Sequence, residues 1–221
     1  MSLPRVTILI ANYNDEEYID NAIESAVNQD YPGPLTICIV DDGSEDESWD
    51  IISSYFDNKD GDILTKKNAG RFGHTNFIAI KNINSGPSEA RNVGIRQTLE
   101  DTDIYAILDS DDEMYECISV FERGEGMVGV VYGDYDTFHV DSDRTIREFK
   151  EPYSRKRLVQ ECIVHSGSLI LKEALESVLE ETGFYDKTMR TCEDYDLWMR
   201  ISEKYIIAHV PESLTKVRVT G

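Results

Sequence analysis

The 221 residues carry 43 acidic against 22 basic side chains, a formal charge of -21, and 40% of them are apolar. That charge excludes a nucleic-acid partner and a polybasic membrane anchor, and any phosphate ligand then needs a cation or locally placed arginines to reverse the field. The apolar fraction fills one substantial core, and Cys38, Cys117, Cys162 and Cys192, with no CxxC or CxH spacing, read as reduced thiols of a cytoplasmic protein. The N-terminal apolar stretch is too short for a signal h-region or a membrane span.

Arg5 to Ala11 is a Val/Ile run expected of a strand buried on both faces of a parallel sheet, and it ends at Asn12 and Asn14. Asn14 with Glu17 reads as a capping pair. Ile19, Ala22, Ile23, Ala26 and Val27 follow at helical spacing. After the turn Tyr31 to Pro34, Leu35 to Val40 is a second buried strand, and Ser44 with Glu47 reads as a capping box for a helix to about Phe56. Asp57 to Gly73 is polar and reads as irregular. Phe77 to Lys81 is a third strand, and Pro87 suits the first turn of a helix reaching Leu99, whose Ala90, Val93 and Gly94 form a small-residue face. Ile104 to Leu108 is a fourth strand. This alternation predicts an α/β fold with a mostly parallel sheet.

The second half is less regular. Met127 to Tyr132, Thr145 to Phe149 and Ile163 to Leu171 read as antiparallel strands, separated by helices near Ser154 to Gln160 and Lys172 to Glu180. Thr191 and Asp194 fit a capping box before a helix bearing Leu197, Trp198 and Ile201, and Ile206 to Val210 is a last short strand.

Leu108 to Asp112, reading LDSDD, places three carboxylates beyond a strand end, where open α/β sheets bind ligands. Asp109 and Asp111 alternate around Ser110, a spacing that suits a divalent cation and equally a solvated acidic turn. In VDDGS a carboxylate can accept from a nucleobase imide or a ribose hydroxyl, or Asp42 and Ser44 can cap the following helix. Asn12 and Asn14 share that ambiguity. Arg91 lies near a helix N-terminus and reads as a phosphate or nucleotide contact or as a surface ion pair; Arg71 is a weaker candidate. Glu193 and Asp194 open a helix and read as a general base or as capping groups.

Taken in order, ILIANYN, IVDDGS, NSGPSEARNVGI, ILDSDD and CEDYDLWMRIS resemble, over nearly the whole chain, the inverting glycosyltransferases of family 2, which share the GT-A fold. The resemblance implies one domain, with about residues 1–113 binding a nucleotide sugar and about 114–221 binding the acceptor. It implies a nucleotide site of Asn12, Asn14, Asp41, Asp42, Arg91, Asp109 and Ser110, with Asp41 on the base and Asp109 near the ribose. Asp111, with Asp109 and Asp112, would hold Mn2+ or Mg2+ on the diphosphate. Asp194 would be the base, with Glu193 its alternative. The implied activity moves a sugar from a nucleoside diphosphate, UDP foremost, to a saccharide or lipid-linked acceptor with inversion. The readings weighed against it are a non-catalytic sugar-nucleotide-binding module and an aspartate-nucleophile phosphohydrolase. Two departures stand out: ANYN lacks the usual proline and threonine, and in KVRVTG Thr220 stands where the family commonly has histidine. Peripheral membrane association is expected only through C-terminal sequence beyond Gly221.

Overall fold

A computed structural model describes residues 2–69, 75–118, 128–165, 167–180 and 183–219. In chain order the elements are β1 (Val6–Asn12), α1 (Ile19–Val27), β2 (Leu35–Asp41), α2 (Ser48–Ser54), β3 (Ile63–Ala69), β4 (Thr75–Lys81), α3 (Pro87–Thr98), β5 (Ile104–Asp109), β6 (Glu113–Met114), β7 (Val128–His139), β8 (Arg144–Glu148), α4 (Arg155–Leu158), β9 (Leu169–Leu171), α5 (Lys172–Ser177), α6 (Glu193–Ile201) and β10 (Ile206–Val219). The strands form one sheet in the order β3-β4-β2-β1-β5-β9-β7-β10-β6, with β8 beside β7. β4, β2, β1 and β5 are mutually parallel; β3 and β9 run against their neighbours. No helix among the described residues is long and apolar enough to cross a membrane.

Alternation along the central strands divides the core. Ile8, Ile10, Ile37 and Ile39 face the side covered by α1 and α2, where they meet Ile19, Ile23 and Ile52. Leu9, Cys38 and Val40 face the other side, packed with Ala90 and Ile95 of α3 and Leu197, Trp198 and Ile201 of α6. Burying a side chain of this size stabilises by about 1.5–3 kcal/mol, so both layers hold the sheet. Gly94 fixes how closely α3 approaches: a Cβ there would lie 2.3 Å from Leu9 Cδ1 and 3.1 Å from Val40 Cγ2.

Several boundaries differ from expectation. The polar segment after Asp57 contains β3, whose exposed Ile63 and Lys67 disguise its pairing with β4. β8 and β9 pair antiparallel with β7 as expected, but β10 runs on to Val219, parallel to β7. Its half-exposed polar residues conceal that length from a hydropathy reading. None of the expected capping side chains caps a helix: Tyr18, Glu47 and Cys192 occupy the cap positions of α1, α2 and α6 without a side-chain cap hydrogen bond. Cys38 and Cys117 are buried, whereas Cys162 and Cys192 are exposed.

The topology gathers the chemistry at one edge. Parallel register sets Asn12 beside Asp41 and Ala11 beside Asp109, so β1, β2 and β5 all deliver polar groups at their carboxyl ends, where α3 begins. Gly94→Val should overpack the α3–sheet contact and cost at least about 2 kcal/mol, read as a lower urea midpoint at unchanged m-value.

Candidate active site

A cavity of about 350 Å³ opens beyond β1 and β5, with Asn12, Tyr13, Asp15, Asp42, Ser110 and Arg190 among its lining residues. Asn12 donates from Nδ2 to Asp41 Oδ1 at 2.8 Å and to Ser44 Oγ at 3.1 Å, while its own buried Oδ1 has no partner among the described residues. Asp41 accepts from the Ser44 hydroxyl at 2.5 Å and is fully buried. Asp41, the last residue of β2, is thus engaged by Asn12 and Ser44, and its neighbour Asp42 lines the cavity. Asp42 accepts from Asn82 Nδ2 and from the Ser85 and Gly86 N–H groups at 2.7–3.0 Å, which ties the loop before α3 to β2. Burial raises the Asp42 pKa against those hydrogen bonds. Asn14, left-handed at φ 56°, accepts from Glu45 N and donates its own N–H to Ser44, so it braces two loops rather than capping α1.

Arg91 is held by carboxylates. It is 6% exposed, with NH1 2.6 Å from Glu193 Oε1, NH2 2.8 Å from Asp109 Oδ1, and Asp194 Oδ1 3.9 Å away. The Tyr185 ring lies 5.4 Å from its guanidinium carbon. Burial opposes its charge, but Asp194, Asp109 and Glu193 outweigh burial and raise its pKa well above the usual value. The guanidinium thus joins the end of β5 to the start of α6 and does not line the first cavity.

A second cavity, of about 310 Å³, is walled by Asp109, Asp111, Asp112, His165, Asp194 and Arg218 among others. Asp109 lines both cavities. Burial raises Asp111, and repulsion from Asp109 and Asp15 adds to it; burial drives Asp112 to about 8 despite the Arg218 N–H at 2.9 Å. Burial also lifts Asp194 to about 6, with the Arg91 charge opposing and Asp109 and Glu193 reinforcing. Glu193 is buried and spent on Arg91.

Three raised carboxyls in one place signal negative charge lacking a counter-ion. No ion pair to Asp111 forms among the described residues, and Asp111 offers hard oxygen donors to a divalent cation. Asp109 and Asp112 stand beside it, each with one oxygen already engaged. Among the described residues no three carboxylates, imidazoles or thiolates converge as a complete ligand set.

Sequence reasoning missed four contributors. Asp15 accepts from the Ser110 hydroxyl, its pKa raised by burial against that bond, and it follows the ANYN run that marked the site. Arg218 sits between the Tyr18 and Phe138 rings, donates from Nε to the Asp111 carbonyl at 3.0 Å and pairs with Glu113. The arginine in KVRVTG was its only signal. His165, stacked on Tyr135 at 4.3 Å, and Arg190 had none. Arg71 and Thr220 lie outside the described residues.

The model of Glycosyl transferase family 2 matches residues 7–179. An uncharacterized glycosyltransferase of Rickettsia typhi is 25% identical over 98% of this chain and 64% of its own length. Among solved structures, Staphylococcus aureus TarS 1-349 in complex with UDP-GlcNAc superposes with a TM-score of 0.70 at 16% identity, covering 97% of this chain and 58% of that one. A mannosyltransferase from Pyrobaculum calidifontis in complex with GDP-Man and Mn2+ gives 0.67 at 17% identity, covering 96% and 56%. The fold is that of the GT-A enzymes. The chain spans less than two thirds of the length of these proteins.

A carboxyl raised in the fold above its unfolded value stabilises at low pH, and that contribution is lost as pH rises through the folded pKa. With Asp112 at about 8, the metal-free protein should lose melting temperature as pH rises from about 4 to about 8. Asp112→Asn keeps an oxygen for the Arg218 N–H; it should flatten that decline and stabilise by at least about 1 kcal/mol at the alkaline end, measured by thermal melts in chelator.

Proposed function

Because the chain belongs to glycosyl transferase family 2, we propose that it transfers a sugar from a nucleoside diphosphate, UDP foremost, to a saccharide or lipid-linked acceptor with inversion at the anomeric carbon. The observation that carries this reading is the pair of adjoining cavities sharing Asp109: one is lined by Asn12, Tyr13, Asp42 and Ser110, the other holds Asp111 and Asp194. About residues 1–113 supply the donor side and about 114–221 most of the acceptor side.

In this reading Asn12, Asp42, Asp109 and Ser110 line the nucleoside position, and Asp111 is the principal ligand for Mn2+ or Mg2+, with Asp109 and Asp112 beside it. When bound, the cation neutralises charge developing on the leaving diphosphate. Asp194 accepts the proton of the attacking acceptor hydroxyl. Its pKa of about 6 leaves it ionised yet basic near neutrality. Glu193, locked on Arg91, holds the base in place rather than replacing it. An aspartate nucleophile is disfavoured at Asp109, whose oxygen is engaged by Arg91.

UDP with Mn2+ should raise the melting temperature, and Asp111→Asn should abolish the metal-dependent part. Asp194→Asn should retain that shift yet lower sugar transfer by about 10²–10⁴-fold in an assay of UDP release with an acceptor panel. Wild-type kcat/KM should fall as pH drops below about 6, as Asp194 takes up its proton. Full transfer by Asp194→Asn, or no nucleotide-dependent stabilisation of the wild type, would overturn this assignment.

A further inference from the structure

We propose, resting on the nucleotide-sugar reading above, that Arg190 reads the base of the donor and selects a ring bearing a keto oxygen. Among the described residues lining the nucleoside cavity, Arg190 is the only cation, and Asp15, Asp42 and Asp109 line the same cavity. Its NH1 lies 4.0 Å from where a Cβ on Gly86 would stand, which hangs the guanidinium over the start of α3. Arg91, the nearest competitor, is consumed by Asp109 and Glu193 and lines neither cavity. Arg190 itself is exposed and forms no hydrogen bond or ion pair among the described residues.

Position and chemistry then narrow its partner. Arg190 lines the nucleoside cavity and not the acidic one that holds Asp111 and Asp194. A guanidinium has five donors and no acceptor, so it pairs only with an acceptor. Uracil O4 and guanine O6 accept; the cytosine and adenine amino groups at the corresponding ring positions donate and would oppose it. The carboxylates of the same wall show the complementary preference. They accept from the ring N–H that uracil and guanine carry, and they face a bare ring nitrogen in cytosine and adenine. Tyr13, half-exposed at the same cavity, offers a face on which the base can lie.

The test is isothermal titration of wild type, Arg190→Ala and Arg190→Gln with UDP, GDP, CDP, ADP and uridine in Mn2+. The wild type should bind at least one keto-base diphosphate more tightly than CDP and ADP. Both variants, folded with unchanged melting temperature because the side chain is exposed, should lose about tenfold for that keto base and nothing for the amino bases. If the base is uracil, UDP and uridine should weaken by the same factor. Equal loss across all four diphosphates would mark a phosphate contact and overturn the proposal, as would no loss at all. A wild type that binds none of the four refutes the proposed function as well; binding with a preference indifferent to Arg190 refutes only this inference.

Discussion

The guanidinium of Arg91, buried between Asp109 and Glu193, is the contact on which the site depends. A charge removed from water costs several kcal/mol unless its partners are well placed, and here the partners come from the end of β5 and the first turn of α6. Losing either partner of such a pair typically costs about 3–5 kcal/mol, so the two elements are held in one arrangement. The consequences run outward. Glu193 is immobilised, which leaves its neighbour Asp194 facing the cavity, and Asp109 is fixed as the wall between two compartments. Tyr185 covers the guanidinium from the segment preceding α6.

Much of this was legible in the sequence, for identifiable reasons. Strands buried on both faces write continuous Val/Ile runs, so β1, β2 and β5 were visible, and each was followed by the polar cluster that now lines the site. The small face of α3 was equally plain, because only glycine at position 94 admits Leu9 so close. What stayed hidden was whatever depends on partners distant in the chain. β3 looks polar because it is an edge strand, and β10 looks short because its second half is stabilised by pairing with β7 rather than by burial. The different surroundings of two adjacent carboxylates were likewise invisible: Asp41 is engaged by Asn12 and Ser44, whereas Asp42 lines the cavity. Capping motifs misled because Asn14 and Ser44 hydrogen-bond across loops, and Asp194 is committed to the cleft.

The charge of the whole molecule takes on a local meaning at LDSDD. Most of the excess acid is solvated, but Asp112 is buried and Asp111 partly so, and that desolvation raises the pKa of both. Arg218 answers only part of that deficit, since it is spent on the Asp111 carbonyl, the Asp112 carboxylate through its N–H, and Glu113. The acidic loop is thereby laced to β10, at the far end of the chain, while its carboxylates still lack a counter-charge.

The wall formed by Asp109 has an energetic corollary. Asp109 and Asp194 draw on the same guanidinium, so a ligand that engages one alters the potential at the other. Coupling of this kind is reciprocal by thermodynamic necessity: whatever factor occupancy of the first cavity lends to the second is returned unchanged in the opposite direction. One shared guanidinium thus links the two adjacent cavities electrostatically through its ion pairs to Asp109 and Asp194.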